Sequence, residues 1–132
     1  MKEKKFKEIP TEELAALVTG WLDDKQAMNV KALDVRGLCS ITDTLVVATA
    51  KGARHAKGLA DHLLDTLKRE NIEYLGMEGY DGGEWVLLDL NDVIVHIFQE
   101  DLRAFYNIEG LWAEGKCIDF AALREKKPVG EA

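Results

Sequence analysis

The sequence predicts an α/β sandwich in which a mixed sheet of about five strands is flanked by helices. Segments with apolar residues at helical spacing alternate with short β-branched runs, in the order αββαβββα. One helical segment separates two strand segments, which is typical of a right-handed crossover with partly parallel pairing. The chain has 132 residues, 47% of them hydrophobic, which suits one domain with a buried core.

The first helix is predicted to begin with Thr11 as its N-cap. Glu12 and Glu13 follow, where carboxylates interact favourably with the positive end of the helix dipole. Apolar residues then recur at helical spacing, at Leu14, Leu17, Val18, Trp21 and Leu22. This pattern indicates an amphipathic helix.

Two strands are predicted next, over 30–35 and 45–50, and the second is a continuous apolar run suited to the interior of a sheet. A second helix opens at Gly52 and is expected to stop near Asn71. A short strand over 74–77 completes the strand–helix–strand unit.

A β-hairpin is the next predicted feature. Strand-like runs over 85–89 and 93–98 are separated by the turn signal Asn91-Asp92. A third helix is expected from Glu100 to about Gly110. We therefore divide the chain into a basic N-terminal lead (1–10), a single domain (11–112) and a C-terminal tail (113–132).

Charge is distributed unevenly along the chain. The formal net charge is −7, and no lysine or arginine lies between Arg69 and Arg103. That interval carries nine carboxylates: Glu70, Glu73, Glu78, Asp81, Glu84, Asp89, Asp92, Glu100 and Asp101. Phosphate backbones are bound by basic side chains, so we expect a basic protein partner and little direct contact with RNA.

Cysteine spacing indicates neither a disulfide framework nor a metal site. Cys39 and Cys117 stand alone, without the paired spacing of zinc ligands, and we expect reduced thiols and no cofactor. No apolar run approaches the roughly 20 residues that span a bilayer. We therefore expect a cytoplasmic protein with no membrane association.

Two segments resemble sites for phosphate or metal chemistry. Residues 51–58 place glycines and basic groups at a helix start, but the ending of a P-loop is absent. Asp89, Asp92 and His96 could serve a nucleotide-handling enzyme through Mg²⁺. The alternative is structural: the two aspartates pin a tight turn and His96 is a hydrogen-bonded core residue.

Trp85 shares a strand face with Leu87 and Asp89. Its ring could fill the core or anchor a partner, and the sequence favours neither. On the third helix, Arg103 and Glu109 are expected to form an internal ion pair, with Tyr106 as an aromatic cover.

Several segments, in order and spacing, resemble the ribosomal silencing factor family (RsfS, Iojap-like) over about residues 12–112. They are Leu33-Asp34-Val35-Arg36, Ile41-Thr42-Asp43, Glu78-Gly79, residues 85–89, residues 92–98, Arg103-Ala104-Phe105-Tyr106 and Leu111-Trp112. The resemblance implies a nucleotidyltransferase-like fold that lacks the catalytic residues. It also implies binding to protein number fourteen of the large ribosomal subunit, which blocks joining of the small subunit and lowers translation when nutrients are scarce.

The expected partner-binding surface combines these two lines of reasoning. It is the hairpin surface centred on Trp85, with Glu78, Leu87, Asp89 and Asp92 around it, and it acts without catalysis. Exposed strand edges would also permit a homodimer. An adaptor for assembly of the large subunit is the alternative that uses the same surface.

Overall fold

The computed structural model describes residues 6–37 and 42–113, apart from the side chain of Trp112. The first five residues, both cysteines and the predicted tail beyond residue 113 lie outside the described residues. The elements are α1 (Thr11–Asp24), β1 (Met28–Asp34), β2 (Thr44–Ala50), α2 (Ala53–Arg69), β3 (Gly76–Glu78), β4 (Trp85–Asp89), β5 (Val93–Gln99), α3 (Glu100–Tyr106) and α4 (Ile108–Ala113).

The strands form one five-stranded mixed sheet in the order β1-β2-β5-β4-β3. Strands β2 and β5 pair in parallel, and the other three pairs are antiparallel. The predicted mixed sheet with flanking helices is confirmed. The parallel partner of β2 is β5, while β3 lies at the far edge, so the crossover that begins with α2 includes the β3–β4 hairpin.

Both faces of the sheet are covered. The register places Val86 and Leu88 on the face that packs against α1 and α2, whereas Trp85 and Leu87 face α3 and α4. Strand β2 is buried along its whole length, as its apolar sequence predicted. The domain therefore has three layers with a core on each side of the sheet.

Some predicted boundaries differ from the structure. Pro10 is the N-cap of α1 and Thr11 is already helical, because proline suits an extended position that donates no hydrogen bond. Strand β1 starts at Met28 and has an irregular register near Asn29, whose φ is 49°. Strand β3 spans Gly76–Glu78, two residues later than predicted at its start.

The predicted third helix is two helices separated by Asn107. This residue is left-handed, with φ 46° and ψ 51°, and its N–H donates to the carbonyl of Arg103. Its Oδ1 accepts the N–H of Gly110 at 3.2 Å. Asparagine tolerates this conformation and makes local side-chain hydrogen bonds, so one residue ends α3 and caps α4.

Within residues 6–37 and 42–113, no helix has both the length and the apolar composition needed to cross a membrane.

Candidate docking face

The hairpin of β4 and β5 brings Trp85 and Leu87 onto the sheet face beneath α3 and α4. Trp85 is paired in register with Phe98, and Leu87 with His96. Only 3% of Trp85 and 7% of Leu87 is exposed. Both side chains belong to the core on this face.

Trp85 lies at the centre of an aromatic cluster, which we define as Trp85, His96, Phe98 and Tyr106. Its ring centroid is 4.9 Å from that of Phe98 and 4.6 Å from that of Tyr106. Its indole Nε1 donates to His96 Nδ1 at 3.0 Å. Because the indole can only donate, Nδ1 must be the acceptor, and the proton of the neutral His96 ring is on Nε2.

Trp85 and Leu87 are therefore buried in the isolated domain, and their role in partner binding stays a prediction. Tyr106 lies over the indole, and the same-face neighbours of both residues exclude water. The alternative, that Trp85 fills the core, is what the structure shows. A partner reaches these two side chains only if α3 and α4 move.

The three carboxylates of the predicted surface are more accessible. Glu78 and Asp92 are exposed, and Asp89 is half-buried. Glu78 is opposite Leu87 in register and Asp89 is on the same strand face as Trp85. Glu78 thus lies beside the aromatic cluster on β3, whereas Asp89 and Asp92 lie at the end of the hairpin where β4 turns into β5.

The turn between β4 and β5 has the structural role that the sequence favoured. Asp89 Oδ1 accepts the N–H of Asn91 at 2.8 Å, and Asn91 has φ 80°. The carbonyl of Asp92 accepts the N–H groups of Asp43 and Thr44, both at 3.1 Å. These bonds fix the turn through Asp89 and the Asp92 backbone and leave the Asp92 carboxylate at the surface.

The structure does not assemble Asp89, Asp92 and His96 into a site. Among the described residues, no three His, Cys, Asp or Glu side chains are placed to hold a metal ion. His96 is wholly buried against Trp85, whereas Asp92 is exposed at the turn. A shared metal or acid–base role needs convergent groups, which this arrangement lacks.

The basic segment at the start of α2 is held by His55. Its Nδ1 accepts the N–H of Lys51 at 2.9 Å, so its Nε2–H donates to the carbonyl of Lys25 at 2.8 Å. The ring therefore joins the start of α2 to the end of α1. This is a structural role for a segment that the sequence left open.

The predicted ion pair between Arg103 and Glu109 is confirmed. Arg103 Nε lies 2.9 Å from Glu109 Oε1, and its Nη1 donates to Thr49 Oγ1 and to the carbonyl of Asn29, both at 2.7 Å. Hydrogen bonding to Arg103 holds the pKa of Glu109 below its usual value. Lys31, 3.4 Å away, adds to this effect.

One exposed aromatic residue was missed by the sequence reasoning. Phe105 is 43% exposed and makes an edge contact with Tyr106 at 4.9 Å between ring centroids. Two adjacent aromatic residues on one short helix cannot both face the sheet, since successive side chains are about 100° apart. This spacing is the sequence signal from which the exposure of one of the two aromatic residues could be predicted.

Comparison with known proteins identifies the family. A family model described as "RsfS: Ribosomal silencing factor during starvation" matches residues 8–132. The chain belongs to the ribosomal silencing factor family. The match extends beyond Trp112, the last residue of the segments that carry the resemblance.

Several relatives match this chain over most of their length. A "Ribosomal silencing factor RsfS" of Halalkalibacterium halodurans is 35% identical over 115 residues, 87% of this chain and 98% of the relative. One from Zymomonas mobilis is 38% identical over 104 residues, covering 79% of this chain and 78% of the relative. The crystal structure of a Chromobacterium violaceum protein superposes with a TM-score of 0.77 at 33% identity, covering 84% of this chain and 91% of that one.

A more distant relative carries a different description. The mouse "Mitochondrial assembly of ribosomal large subunit protein 1" is 23% identical over 99 residues, which is 73% of this chain and 43% of the mouse protein. The nucleotidyltransferase-like character of the fold stays a prediction.

Proposed function

We propose that this chain is a cytoplasmic ribosomal silencing factor. It binds the large ribosomal subunit through protein number fourteen, blocks joining of the small subunit by steric exclusion, and represses translation when nutrients are limiting, as in stationary phase. Membership of the family supports the general role. The choice of ribosomal protein and the blocking mechanism are our inference from the resemblance and the surface charge.

The observation that carries the proposal is the acidic border of the candidate docking face. Glu78 and Asp92 are exposed and Asp89 is half-buried, in a stretch of chain without lysine or arginine. A negative surface next to a packed aromatic cluster suits a basic protein. The carboxylates orient the encounter and raise the association rate, and buried apolar contact supplies most of the affinity.

The same charge argues against RNA as the main contact. The carboxylates of this lysine- and arginine-free stretch repel phosphate over a Debye length of about 8 Å at physiological salt. We therefore propose that the docking face meets ribosomal protein and makes little direct contact with RNA. No nucleotide, metal or other cofactor takes part.

Steric exclusion needs no chemistry from the protein. A folded domain seated on the surface where the two subunits meet prevents their approach whatever its side chains do. This agrees with the separation of Asp89, Asp92 and His96, and we propose that the chain is not an enzyme. Saturable Mg²⁺-dependent nucleotide binding in equilibrium dialysis at millimolar nucleotide would instead favour the nucleotide-handling enzyme.

A role in assembly of the large subunit is the second candidate. The name of the mouse relative favours it, and the same docking face would serve it. Deletion of the gene distinguishes the two roles. Silencing predicts excess joined ribosomes during starvation, whereas an assembly role predicts accumulation of immature large subunits during growth.

A homodimer is a further proposal, based on the edges of the sheet. Among the strands of residues 6–37 and 42–113, β1 is at the edge of the sheet and pairs with β2 alone, so its other edge is available to a strand of a second copy. Sedimentation equilibrium over a range of concentrations tests it. A single species at the monomer mass would contradict it.

A subunit-joining assay tests the proposed function. Purified large and small subunits are mixed with Mg²⁺, with and without the protein, and the joined fraction is measured on a sucrose gradient. We expect the wild type to lower that fraction and Glu78→Lys with Asp92→Lys to restore it. Asp65→Lys, an exposed charge reversal on α2, is the matched control and should behave as the wild type. An unchanged joined fraction with wild-type protein in excess would contradict the proposal.

A further inference from the structure

Strand β3 lies at the end of the sheet farthest from β1, and among the described residues it has one neighbouring strand. It pairs with β4 in antiparallel register, from Gly76 opposite Asp89 to Glu78 at its other end. The N–H of Leu75 extends this contact by donating to the carbonyl of Asp89 at 2.8 Å. Alternate backbone groups of an edge strand point away from its neighbour, so residues 75–78 present hydrogen-bonding groups on their outer side. We call this outer side the β3 edge.

Leu75 is the exposed apolar side chain of this edge. It is 54% exposed, more than any other large apolar side chain of the described residues. Residues 70–102 contain no lysine or arginine and are all described, and Leu75 is their one exposed large apolar side chain. Trp85 and Leu87 are buried. Within the acidic stretch, Leu75 is therefore the apolar side chain that a partner can contact without rearrangement of the domain.

Gly76 leaves Asp89 accessible from the β3 edge. Directly opposite residues of an antiparallel pair have side chains on one face of the sheet, with Cβ atoms about 4.5–5.5 Å apart. Gly76 has no side chain, and an added Cβ would have no described heavy atom within 4 Å. Asp89 is half-buried, and its Oδ1 accepts the N–H of Asn91. A long side chain from beyond β3 can therefore pass over Gly76 toward the Asp89 carboxylate.

Glu78 places a second carboxylate on the same face. It is exposed and follows Gly76 by two residues, so the two positions share a face and lie about 6.8 Å apart along the strand. On a strand added beside β3, two residues separated by one would face Gly76 and Glu78 in turn. Lysine or arginine at both positions would bring positive charge to Glu78 and, across Gly76, to Asp89.

The first described residues lie beside the segment that leads into β3. The N–H of Lys7 donates to the carbonyl of Asn71 at 2.8 Å, and Phe6 lines a groove with Tyr74. The Lys7 contact is four residues before Leu75 and so lies outside the β3 edge. A further segment of the chain on the edge itself would slow the exchange of its outward amides in the free protein.

We propose that the basic protein partner adds a strand to the β3 edge. The strand has lysine or arginine at two alternate positions, which meet Glu78 and Asp89, and an apolar residue that packs against Leu75. This inference rests on the proposed function, because the strand belongs to the protein that the acidic stretch attracts. Main-chain hydrogen bonds hold such a strand in place, and its alternate side chains give specificity. The β3 edge therefore selects a basic edge strand rather than any basic surface.

Two variants alter the β3 edge at positions where the fold tolerates change. Leu75→Ser removes the apolar contact, and Leu17→Ser on α1 is the matched control because Leu17 is also exposed. Gly76→Val blocks the path to Asp89, and Gly20→Ala on α1 is its control, since an added Cβ at either glycine meets no described heavy atom within 4 Å. Binding is measured by co-sedimentation with purified large subunits. We expect each β3 variant to raise the dissociation constant about tenfold and each control to leave it unchanged.

Hydrogen exchange of the wild type tests the added strand without any substitution. The amides of residues 75–78 that point outward should exchange fast in the free protein. In the pellet with large subunits they should exchange at least about tenfold more slowly, because an added strand accepts their hydrogen bonds. Urea unfolding of the variants shows that they are folded.

Weaker binding of both β3 variants, together with slower exchange at residues 75–78, supports strand addition. Sedimentation of the wild type with unchanged exchange, or normal binding of either folded variant, overturns strand addition and leaves the proposed function intact. Slow exchange in the free protein also overturns it, because another segment or a second copy would already occupy the edge. Failure of the wild type to sediment with large subunits shows that the proposed function is wrong, and strand addition with it.

Discussion

Trp85 stabilises the domain through both its ring and its one polar atom. The ring stacks on Phe98 and makes a tilted contact with Tyr106, and its Nε1–H donates to His96. A buried indole without an acceptor would be costly, so the pairing with His96 is what permits tryptophan here.

Substitution of Trp85 should therefore change stability first. Trp85→Ala is expected to lower the free energy of unfolding by about 3–5 kcal/mol, as large aromatic truncations in cores do. Phe105→Ala, at an exposed position on the adjacent helix, should cost less than about 1 kcal/mol. Urea unfolding followed by circular dichroism measures both. Equal midpoints for the two variants would contradict the buried position of Trp85.

Protonation of Glu109 should lower the free energy of unfolding measurably at acidic pH. Its folded pKa lies below the usual 4.5 because of Arg103, so its contribution is fully present above that value. It is lost as the pH falls through the folded pKa. We expect the stability difference between wild type and Glu109→Gln to shrink below pH 4.5, measured by urea unfolding at pH 7 and at several lower values. A pH-independent difference would contradict the assignment.

For individual residues, the sequence predicted hydrogen bonds and ion pairs better than it predicted which side chains are exposed. It identified the Arg103–Glu109 pair, the role of Asp89 in the turn and the hydrogen-bonded His96. It could not decide whether Trp85 is buried, because β4 is apolar on both faces. The burial of Trp85 depends on α3, which follows β5 in the chain and packs over one of these faces. Local spacing carries no information about such a long-range contact.

Among the elements, the loop before β4 approaches α2 closely at Gly83. This residue has φ +68°, and an added Cβ would lie 2.8 Å from the Cβ of Ala53. Gly82 beside it has open space.

Gly83→Ala should therefore destabilise the domain by about 1–3 kcal/mol, because it adds both a steric contact and backbone strain. Gly82→Ala should change stability by less than about 0.5 kcal/mol. Thermal unfolding compares the pair. Equal melting temperatures would show that the loop does not pack on α2 as described.

Element prediction succeeded where turn chemistry was strong. The bounds of β4 were predicted correctly, because glycines and Asn91-Asp92 mark both of its ends. The division of the third helix at Asn107 was missed, since 100–110 has a continuous helical pattern and asparagine is tolerated within helices. The first strand was predicted to start two residues late because its irregular register near Asn29 interrupts the alternation.

For the whole molecule, the acidic border predicts electrostatic steering. Association with large subunits should slow as salt rises, because surface charges separated by more than the Debye length, about 10 Å at 0.1 M salt, are screened. Glu78→Lys should reduce both the rate and its salt dependence, while Asp65→Lys on α2 should leave them unchanged. Biolayer interferometry from 50 to 300 mM salt, over which the Debye length shortens by about 2.4-fold, measures this. A salt-independent rate would contradict the role of the border.

The architecture followed from the sequence as a whole, whereas the proposed partner did not. Five strand patterns and the helix positions sufficed for a mixed sheet between helices. The strand order could not be predicted, because it depends on the parallel pairing of β2 with β5. These two strands are separated in the chain by α2, β3 and β4. The ribosomal role came from the resemblance, since charge alone indicates only a basic partner.

Co-sedimentation with isolated ribosomal subunits tests the central claim most directly. Purified protein is centrifuged with large subunits and, separately, with small subunits, alongside Glu78→Lys with Asp92→Lys and the Asp65→Lys control. We predict that wild type and control sediment with the large subunit alone and that the doubly reversed variant stays in the supernatant. Sedimentation of the wild type with neither subunit, or undiminished binding of a folded double variant, would contradict docking through this face.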